Sequence, residues 1–269
     1  MNRRNIVLSS LFPSVDCNEK FIDSQIKKIA FQLCPENFGR ALVLTEFLVC
    51  IKEFFPKNSI IRVAVVGGYK TEPEIKALLH LGYSLQVQIY GIEEDMIQLD
   101  LNDMPQNLSL AKGNFDLVLC SQVWEHIWSH EAALMNLTSL MSKQSYLWLA
   151  APASNRFHGS PQYFSAGFTS QYLTNNLSRV GLEVHSHGQL GTRRNYLATH
   201  TLPTWLSVKG HQFPLLLAFS EHKFVPRVLF SFRYLIKTFG LLLTSKKITT
   251  SSRFATESWA FARMSEISK

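Results

Sequence analysis

The chain has 269 residues, of which 46% are apolar and 17% charged, so it can bury a large core and general disorder is excluded. Its 27 Lys and Arg exceed its 20 Asp and Glu, but the excess is local. Residues 201–269 hold ten basic and three acidic side chains, whereas residues 59–200 hold nine and eleven. This distribution excludes an evenly basic nucleic-acid-binding protein and favours a near-neutral catalytic domain with a basic attachment.

Cysteine spacing and hydropathy both predict a cytoplasmic protein. The four cysteines stand far apart and form no C-x-x-C pair, which predicts reduced thiols rather than a zinc site or a disulfide framework. The first 17 residues contain too short an apolar stretch for a signal peptide, and no window of about 18 apolar residues predicts a membrane span.

Strands and helices alternate along most of the chain. The predicted elements are helices over 21–34 and 37–55, a strand over 60–66, a helix from Thr71 to about Gly82, strands over 85–92, 97–101 and 115–121, a helix over 129–143, a strand over 145–152, a helix over 168–181, and strands over 182–190 and 258–264. This order predicts an α/β fold, a doubly wound and mostly parallel sheet with helices on both faces. We divide the chain into an N-terminal helical segment (1–58), the α/β domain (59–200 plus 251–269) and a helical insertion (201–250).

The first strand ends at Gly67-Gly68, where a ligand can approach the backbone beside the start of a helix. A dinucleotide site requires G-x-G-x-x-G, but Tyr69 and Thr71 stand where the later glycines would fall. NAD is therefore disfavoured.

The helix after this turn begins with acidic residues. Thr71-Glu72-Pro73-Glu74 has the pattern of a capping box with proline in the first turn. Two carboxylates there would repel a pyrophosphate but suit a cationic ligand group. The alternative is that Glu72 and Glu74 only complement the helix dipole.

Acidic residues also follow the second and third strands. Glu93 comes 26 residues after Gly67, where a carboxylate can bind both hydroxyls of a ribose. The alternative is that Glu93 is simply one exposed acid in the run Glu93-Glu94-Asp95. Asp100 can accept an adenine amino group, or Asp100 and Asp103 can cap a turn.

Four segments in order, VAVVGGYKTEPE, YGIE, LDLNDMP and GNFDLVLCSQVWEHI, resemble the class I S-adenosylmethionine-dependent methyltransferases. The resemblance covers about residues 60–190 and is nearest to a bacterial, methyltransferase type 11-like group whose fourth strand runs into a "LEH" segment. It implies a seven-stranded Rossmann-like sheet and S-adenosyl-L-methionine as cofactor.

The resemblance also assigns residues. It places Gly67 and Gly68 along the methionine part of the cofactor and Glu93 at its ribose. It places Asp100 and Leu101 at the adenine, and Ser121 to Val123 beside the sulfonium. The chain departs from the family at Val65, where an acidic residue is usual, and at Tyr69, where a second glycine is usual. Glu72 or Glu74 is the expected replacement for the missing acid.

The segment NRFHGSPQYFSAGFT (155–169) resembles an "H-x-x-P-x-D-Y-x-R-F-T" stretch of related bacterial enzymes, several of them associated with surface-glycan synthesis. In those relatives it borders the acceptor pocket. The resemblance makes His158 and Tyr163 acceptor-side candidates, with His158 either the base that deprotonates a hydroxyl or a structural or exposed histidine.

His126 and His130 are four residues apart, so on one helix they would share a face and form a metal pair. The order is not H-E-x-x-H and no third ligand is evident, so no metal is expected. Glu125-His126 matches the end of the "LEH" segment of the resembling family, so the resemblance explains this pair without a metal. His126 is a third catalytic candidate. Nucleic-acid methylation is disfavoured because no N-P-P-Y-like tetrapeptide follows FDLVLCS.

The insertion contains an amphipathic stretch over 213–243. At about 100° per residue, one apolar arc is formed by Val228, Leu229, Phe232, Leu235, Ile236, Phe239, Leu242 and Leu243. Arg227, Arg233 and Lys237 lie opposite. Such a helix can lie in an anionic membrane interface, form a dimer contact, or cover the active site.

The sequence therefore predicts a cytoplasmic methyltransferase, peripheral at the inner membrane face if the amphipathic stretch binds lipid. The expected acceptor is a small-molecule or glycan/lipid-linked hydroxyl, and no nucleic-acid partner is expected. The alternative function is that of a non-catalytic Rossmann-like binding protein with a degenerate cofactor site.

Overall fold

A computed structural model describes residues 24–34, 38–105, 113–155, 162–191, 196 and 255–264. Its helices are α1 (Ser24–Leu33), α2 (Phe38–Phe54), α3 (Pro73–His80), α4 (His130–Leu140) and α5 (Ser170–Arg179), with a short 3₁₀ helix at Trp124–His126. Its strands are β1 (Ile60–Val66), β2 (Ser84–Gly91), β3 (Ile97–Gln98), β4 (Phe115–Ser121), β5 (Met141–Pro152), β6 (Leu182–Leu190) and β7 (Glu257–Met264).

The strands described form one seven-stranded sheet in the order β3-β2-β1-β4-β5-β7-β6. Strands β1 to β5 pair in parallel, and β7 runs antiparallel to both β5 and β6. The predicted fold class is thereby confirmed. Since the chain builds outward from β1 to β3 and then returns to place β4 on the other side of β1, the strand order reverses between β1 and β4. Ligands bind at such a reversal, beyond the carboxyl ends of the strands.

Helices cover both faces of this sheet. Along β1, Ile61, Val63 and Val65 are buried against α1, α2 and α3, whereas Ala64 and Val66 are buried in a second cluster with α4 and α5. The two-residue alternation of a strand explains this division. The N-terminal helices thus share a core with the sheet, with Phe47 of α2 packed on Trp148 of β5 at a ring distance of 5.1 Å.

Three predicted boundaries that fall on described residues were wrong by three or four residues. The third strand ends at Gln98 rather than 101, because Oδ1 of Asp100 accepts the N–H of Asn102 at 2.8 Å and turns the chain. The helix predicted over 129–143 ends at Leu140, and β5 begins four residues early at Met141, which pairs with Phe115 of β4.

The predicted insertion (201–250), its amphipathic stretch (213–243) and His158 lie outside the described residues. Among the helices that the structure does describe, none combines the length and apolarity needed to cross a bilayer.

Candidate functional site

A glycine turn stands where β1 meets the end of β4. Gly67 adopts φ +72°, and its N–H donates to the carbonyl of Tyr90 at 2.8 Å. A Cβ added to Gly67 would lie 2.6 Å from Cγ2 of Val123, in the segment after β4. The missing side chain is therefore what brings these two loops together.

The capping box predicted at Thr71–Glu74 does not form. Helix α3 begins at Pro73 with Glu72 as its N-cap, and within the described residues the Glu72 side chain makes no capping hydrogen bond. Glu74 turns inward, is 2% exposed, and accepts a 2.8 Å hydrogen bond from the hydroxyl of Ser121.

The reason for this correction is Arg40, which enters from the first turn of α2. Its Nη2 donates to Oε1 and Oε2 of Glu74 at 3.2 and 3.3 Å and to Oε2 of Glu72 at 3.4 Å. A side-chain cap contributes only about 1 kcal/mol, whereas a buried guanidinium without a carboxylate costs several. The two glutamates are thus ion-paired and do not merely complement the helix dipole.

A third carboxylate, Glu257 at the start of β7, joins this group. It is 5% exposed and accepts a 2.8 Å hydrogen bond from Nε2 of Gln122, whose φ of +58° is unusual for a residue with a side chain. Burial raises the pKa of Glu257 to about 7, although the nearby charge of Arg40 opposes the shift. Burial likewise raises the pKa of Glu72, with the charge of Glu74 adding to the effect.

We call Arg40, Glu72, Glu74 and Glu257 the charge cluster. Among the described residues it combines three carboxylates with one guanidinium, so it carries excess negative charge whenever its glutamates are ionised. Such an excess in a buried place disfavours an anion and favours a cationic ligand group.

Glu93, the predicted ribose ligand, lies two residues beyond β2. Its Oε1 accepts a 2.5 Å hydrogen bond from the hydroxyl of Tyr69, and its backbone carbonyl accepts one from Nε2 of Gln98 at 2.7 Å. The bond to Glu93 raises the pKa of the Tyr69 phenol. A carboxylate that accepts a hydrogen bond from a phenol can equally accept hydrogen bonds from the hydroxyls of a ribose.

The loop after β3 contains the other two nucleoside candidates. Asp100 caps the turn described above, and Leu101 is buried. Asn102 joins this loop to the segment after β4, because its Oδ1 accepts the N–H groups of Trp128 at 2.9 Å and Ser129 at 3.2 Å.

His126 and Tyr163, predicted from separate segments, lie side by side with ring centroids 6.0 Å apart. Nδ1 of His126 is hydrogen-bonded to the carbonyl of Gln162. Because a carbonyl can only accept, Nδ1 carries a proton and Nε2 is left as the basic atom of the neutral ring. Nε2 lies 3.9 Å from Oε1 of Glu125, a buried side chain.

His130 belongs to a different element, so the premise that it shares a helical face with His126 is wrong. It begins α4, stacks on Trp124 at 4.9 Å, and lies with Nδ1 2.8 Å from the hydroxyl of Tyr172. Burial lowers the pKa of His130, as expected for a neutral packed imidazole. No three metal-binding side chains converge anywhere in the described ranges.

Of the predicted residues, the structure places Gly68 beside Glu72 and Ser121 beside Glu74, and it separately pairs His126 with Tyr163. Sequence reasoning missed Arg40 and Glu257 as members of the charge cluster. Glu257 had one usable signal, its position just before the strand-like SWAFARM run at the carboxyl edge of the sheet. Arg40 had none, because it comes from a helix that precedes the α/β pattern.

Comparison with known proteins gives matches among solved structures alone. No family model matches the chain, and no curated protein matches it. The cyclase SpnF has 13% identity and a TM-score of 0.46, covering 89% of this chain and 93% of its own. A SAM dependent methyltransferase from Archaeoglobus fulgidus has 15% identity and a TM-score of 0.42, and the alignment covers 80% of this chain and 91% of that one. One from Mesorhizobium loti has 10% identity and a TM-score of 0.43, covering 80% and 96%. Similarity of this size concerns the fold alone.

Proposed function

We propose that the chain is an S-adenosylmethionine-dependent methyltransferase that acts on a hydroxyl of a small-molecule or glycan/lipid-linked acceptor. The observation that carries the proposal is the charge cluster, which lies beside the Gly67 turn at the point where the strand order reverses. Its excess negative charge suits a cationic nucleoside, and Glu93 on the neighbouring strand suits a ribose.

The residues present fit this cofactor. The Gly67-Gly68 turn gives close access to the backbone, Glu93 receives the ribose hydroxyls, and Asp100 with Leu101 borders the adenine. Val65, which stands where the resembling family has an acid, is buried in the core at 2% exposure. Glu72 and Glu74 supply negative charge in its place, and Ser121 fixes Glu74. When bound, the cofactor supplies an electrophilic methyl group on a positively charged sulfur.

On the acceptor side we propose that His126 accepts the hydroxyl proton through Nε2. The bond from Nδ1 to Gln162 orients the ring, and Nε2 lies near the buried carboxyl group of Glu125. Tyr163 packs on the same imidazole and is the second residue of the proposed acceptor side. His158 stays a prediction for the same pocket, outside the described residues.

A second candidate function is that of a non-catalytic Rossmann-like binding protein with a degenerate cofactor site. The hydrogen bond from Tyr69 to Glu93 favours it, because the carboxylate that would hold a ribose already has a partner within the chain. The two functions make different predictions about transfer of the methyl group.

Transfer of label from methyl-tritiated S-adenosylmethionine to fractionated bacterial lipids, glycans and small molecules tests the proposal. We expect label in one acceptor class, and a reduced transfer rate with unchanged cofactor affinity in a His126→Gln variant. His80→Gln, on the solvent-facing end of α3, is the matched control and should transfer normally. Cofactor binding without any transfer would support the second candidate instead.

A further inference from the structure

Gln122, the first residue after β4, holds a backbone conformation that is rare for a residue with a side chain. Its φ is +58°, and within the described part of the chain Asn58 is the one other residue besides glycine with a positive φ. This left-handed conformation costs free energy and persists only where the surrounding structure enforces it. The contacts of Gln122 must therefore hold it in place.

Two hydrogen bonds fix Gln122. Its backbone N–H donates to the carbonyl of Ala150 in β5 at 2.8 Å, and its Nε2 donates to Oε2 of Glu257 in β7, also at 2.8 Å. Strand β5 lies between β4 and β7 in the sheet, and Glu257 pairs with Pro152 at the carboxyl end of β5. The side-chain bond therefore crosses β5 and joins the loop after β4 to a strand that is not its neighbour.

Glu257 is well fixed for this purpose. Its side chain is buried, and the residues on both sides of it bind the ends of other elements. The N–H of Thr256 donates to the carbonyl of Leu190 at 3.0 Å, and the hydroxyl of Ser258 donates to the carbonyl of Phe168 at 2.6 Å. Because the backbone is held on both sides, the Glu257 carboxyl group can determine where the Gln122 side chain lies.

The loop after β4 lies at the place where a ligand of this fold binds. The strand order reverses between β1 and β4, and open α/β sheets bind their ligands at such a reversal. The residue after Gln122 is Val123, which lies so close to Gly67 that an added Cβ would come within 2.6 Å of its Cγ2. A shift at Gln122 would therefore disturb both loops that meet at the reversal.

We propose that Glu257 is a positioning residue, which holds the loop after β4 in its ligand-binding conformation through the side chain of Gln122. This inference rests on the proposed function and adds a residue from the last strand on which cofactor binding depends. Glu257 acts through Gln122 and need not touch the ligand.

The competing explanation is that Glu257 contributes only its charge to the charge cluster. Glu257→Gln and Glu257→Ala both remove that charge, so on this explanation they have the same effect. They differ in the hydrogen bond, because the amide oxygen of Gln can accept the Nε2 group of Gln122 and Ala cannot. Burial raises the pKa of Glu257 to about 7, so at pH 6 the carboxyl group is mostly neutral and Glu257→Gln changes little charge.

Titration calorimetry of the full chain with S-adenosylmethionine at pH 6 tests the inference. We expect Glu257→Ala and Gln122→Ala each to weaken binding by about fivefold or more, the effect of one lost hydrogen bond. Glu257→Gln should stay within about twofold of the unmodified protein, because the bond is retained. Ser258→Ala is the matched control, since it removes a neighbouring buried hydrogen bond that does not reach the loop after β4, and it should leave the affinity unchanged.

Two further measurements isolate the bond between the two side chains. The variant with both alanines should bind no more weakly than either single variant, because both substitutions break the same bond. Amide hydrogen exchange of the ligand-free protein should show faster exchange of the Gln122 N–H in either alanine variant than in Glu257→Gln or Ser258→Ala.

Unchanged affinity in both alanine variants, or equal weakening in Glu257→Gln and Glu257→Ala, would overturn the role of Glu257 and leave the cofactor proposal standing. Gln122→Ala keeps the test decisive if Glu257→Ala fails to fold, because Gln122 is only half-buried. Failure of the unmodified protein to bind S-adenosylmethionine would instead overturn the proposed function, and this inference with it.

Discussion

The hydroxyl of Tyr69 lies 2.5 Å from Oε1 of Glu93, so a hydrogen bond joins the loop after β1 to the end of β2. Both residues stand out in the sequence, Glu93 as the predicted ribose ligand and Tyr69 as a departure from the glycine usual in the resembling family. A ribose that binds Glu93 through Oε1 must replace this phenol. In the proposed function, the Tyr69 phenol therefore competes with the ribose for Glu93.

Replacing Glu93 with Gln should weaken binding of S-adenosylmethionine by about tenfold or more, since charge-assisted hydrogen bonds contribute on the order of 1.5–3 kcal/mol. The melting temperature without ligand should barely change, because Glu93 is exposed. Calorimetry and thermal unfolding measure the two quantities. Glu94→Gln, one residue further in the same exposed run, should change neither. An unaltered dissociation constant in Glu93→Gln would show that the ribose site is misplaced.

Replacing Tyr69 with Phe should tighten binding of S-adenosylmethionine several-fold, because the ring remains and only the competing hydroxyl is lost. The same calorimetric titration measures this change. Weaker binding would show instead that the Tyr69 hydroxyl helps to hold the ligand.

Replacing Gly67 with Ala should destabilise the fold and abolish cofactor binding. The new Cβ would meet both γ-carbons of Val123 at 2.6 and 2.8 Å, and φ is +72°. Gly82→Ala is the matched control, since φ is +87° there but the nearest heavy atom lies 3.7 Å away. We expect a loss of about 1–2 kcal/mol at Gly82 from the backbone conformation, and a further 1–3 kcal/mol or so at Gly67 from overlap.

Denaturant unfolding measures both losses. Adding Val123→Ala to Gly67→Ala should recover part of the difference, because it removes the overlapping carbons but not the backbone strain. Equal losses at the two glycines would contradict the close approach of the two loops.

Replacing Glu257 with Gln should change how stability depends on pH. The folded-state pKa is raised from 4.5 to about 7, so between these values the folded protein binds more protons than the unfolded chain. Stability therefore falls as pH rises through this window and levels off above it. Relative to Glu257→Gln, the unmodified protein should lose stability between pH 5 and 8, by at most roughly 3 kcal/mol.

Chemical unfolding of both proteins at a series of pH values measures this difference. The variant stays neutral and retains a side chain that can bond Gln122, so the comparison isolates the ionisation. Parallel stability curves across the window would show that Glu257 titrates near its ordinary pKa.

The basic stretch of the predicted insertion is proposed to bind anionic membranes. Reversing Arg227, Arg233 and Lys237 to Glu should abolish co-sedimentation with anionic liposomes at low salt, where the attraction is strongest, and should leave cofactor affinity unchanged. If the unmodified protein does not sediment with such liposomes, the stretch has another role, as a lid or a dimer contact.

Periodicity predicted the sheet well. The apolar runs IIRVAVV and FDLVLCS coincide with β1 and β4 at both ends, because strands buried on both faces leave a continuous apolar signal. The end of β3 could not be predicted in the same way, since a hydrogen bond between Asp100 and Asn102 stops the strand within a run that still alternates.

From the sequence, candidate site residues could be picked out only at the ends of strands. Gly67, Glu93 and Ser121 occupy such positions, and the reversal of strand order brings the first and last of them together. The partner of Glu74 was not predictable, because local sequence favours a cap and only the folded chain brings Arg40 within 3.2 Å of its carboxylate. A long-range ion pair overrides a local pattern whenever the buried charge costs more than the cap contributes.

Titration calorimetry of the unmodified protein with S-adenosylmethionine, with NAD as the comparison ligand, tests the central claim most directly. The excess carboxylates of the charge cluster should admit the cationic nucleoside and reject the pyrophosphate. We expect one S-adenosylmethionine per chain and no heat of binding from NAD. Undetectable binding of S-adenosylmethionine at millimolar concentration, or tighter binding of NAD, would contradict the account.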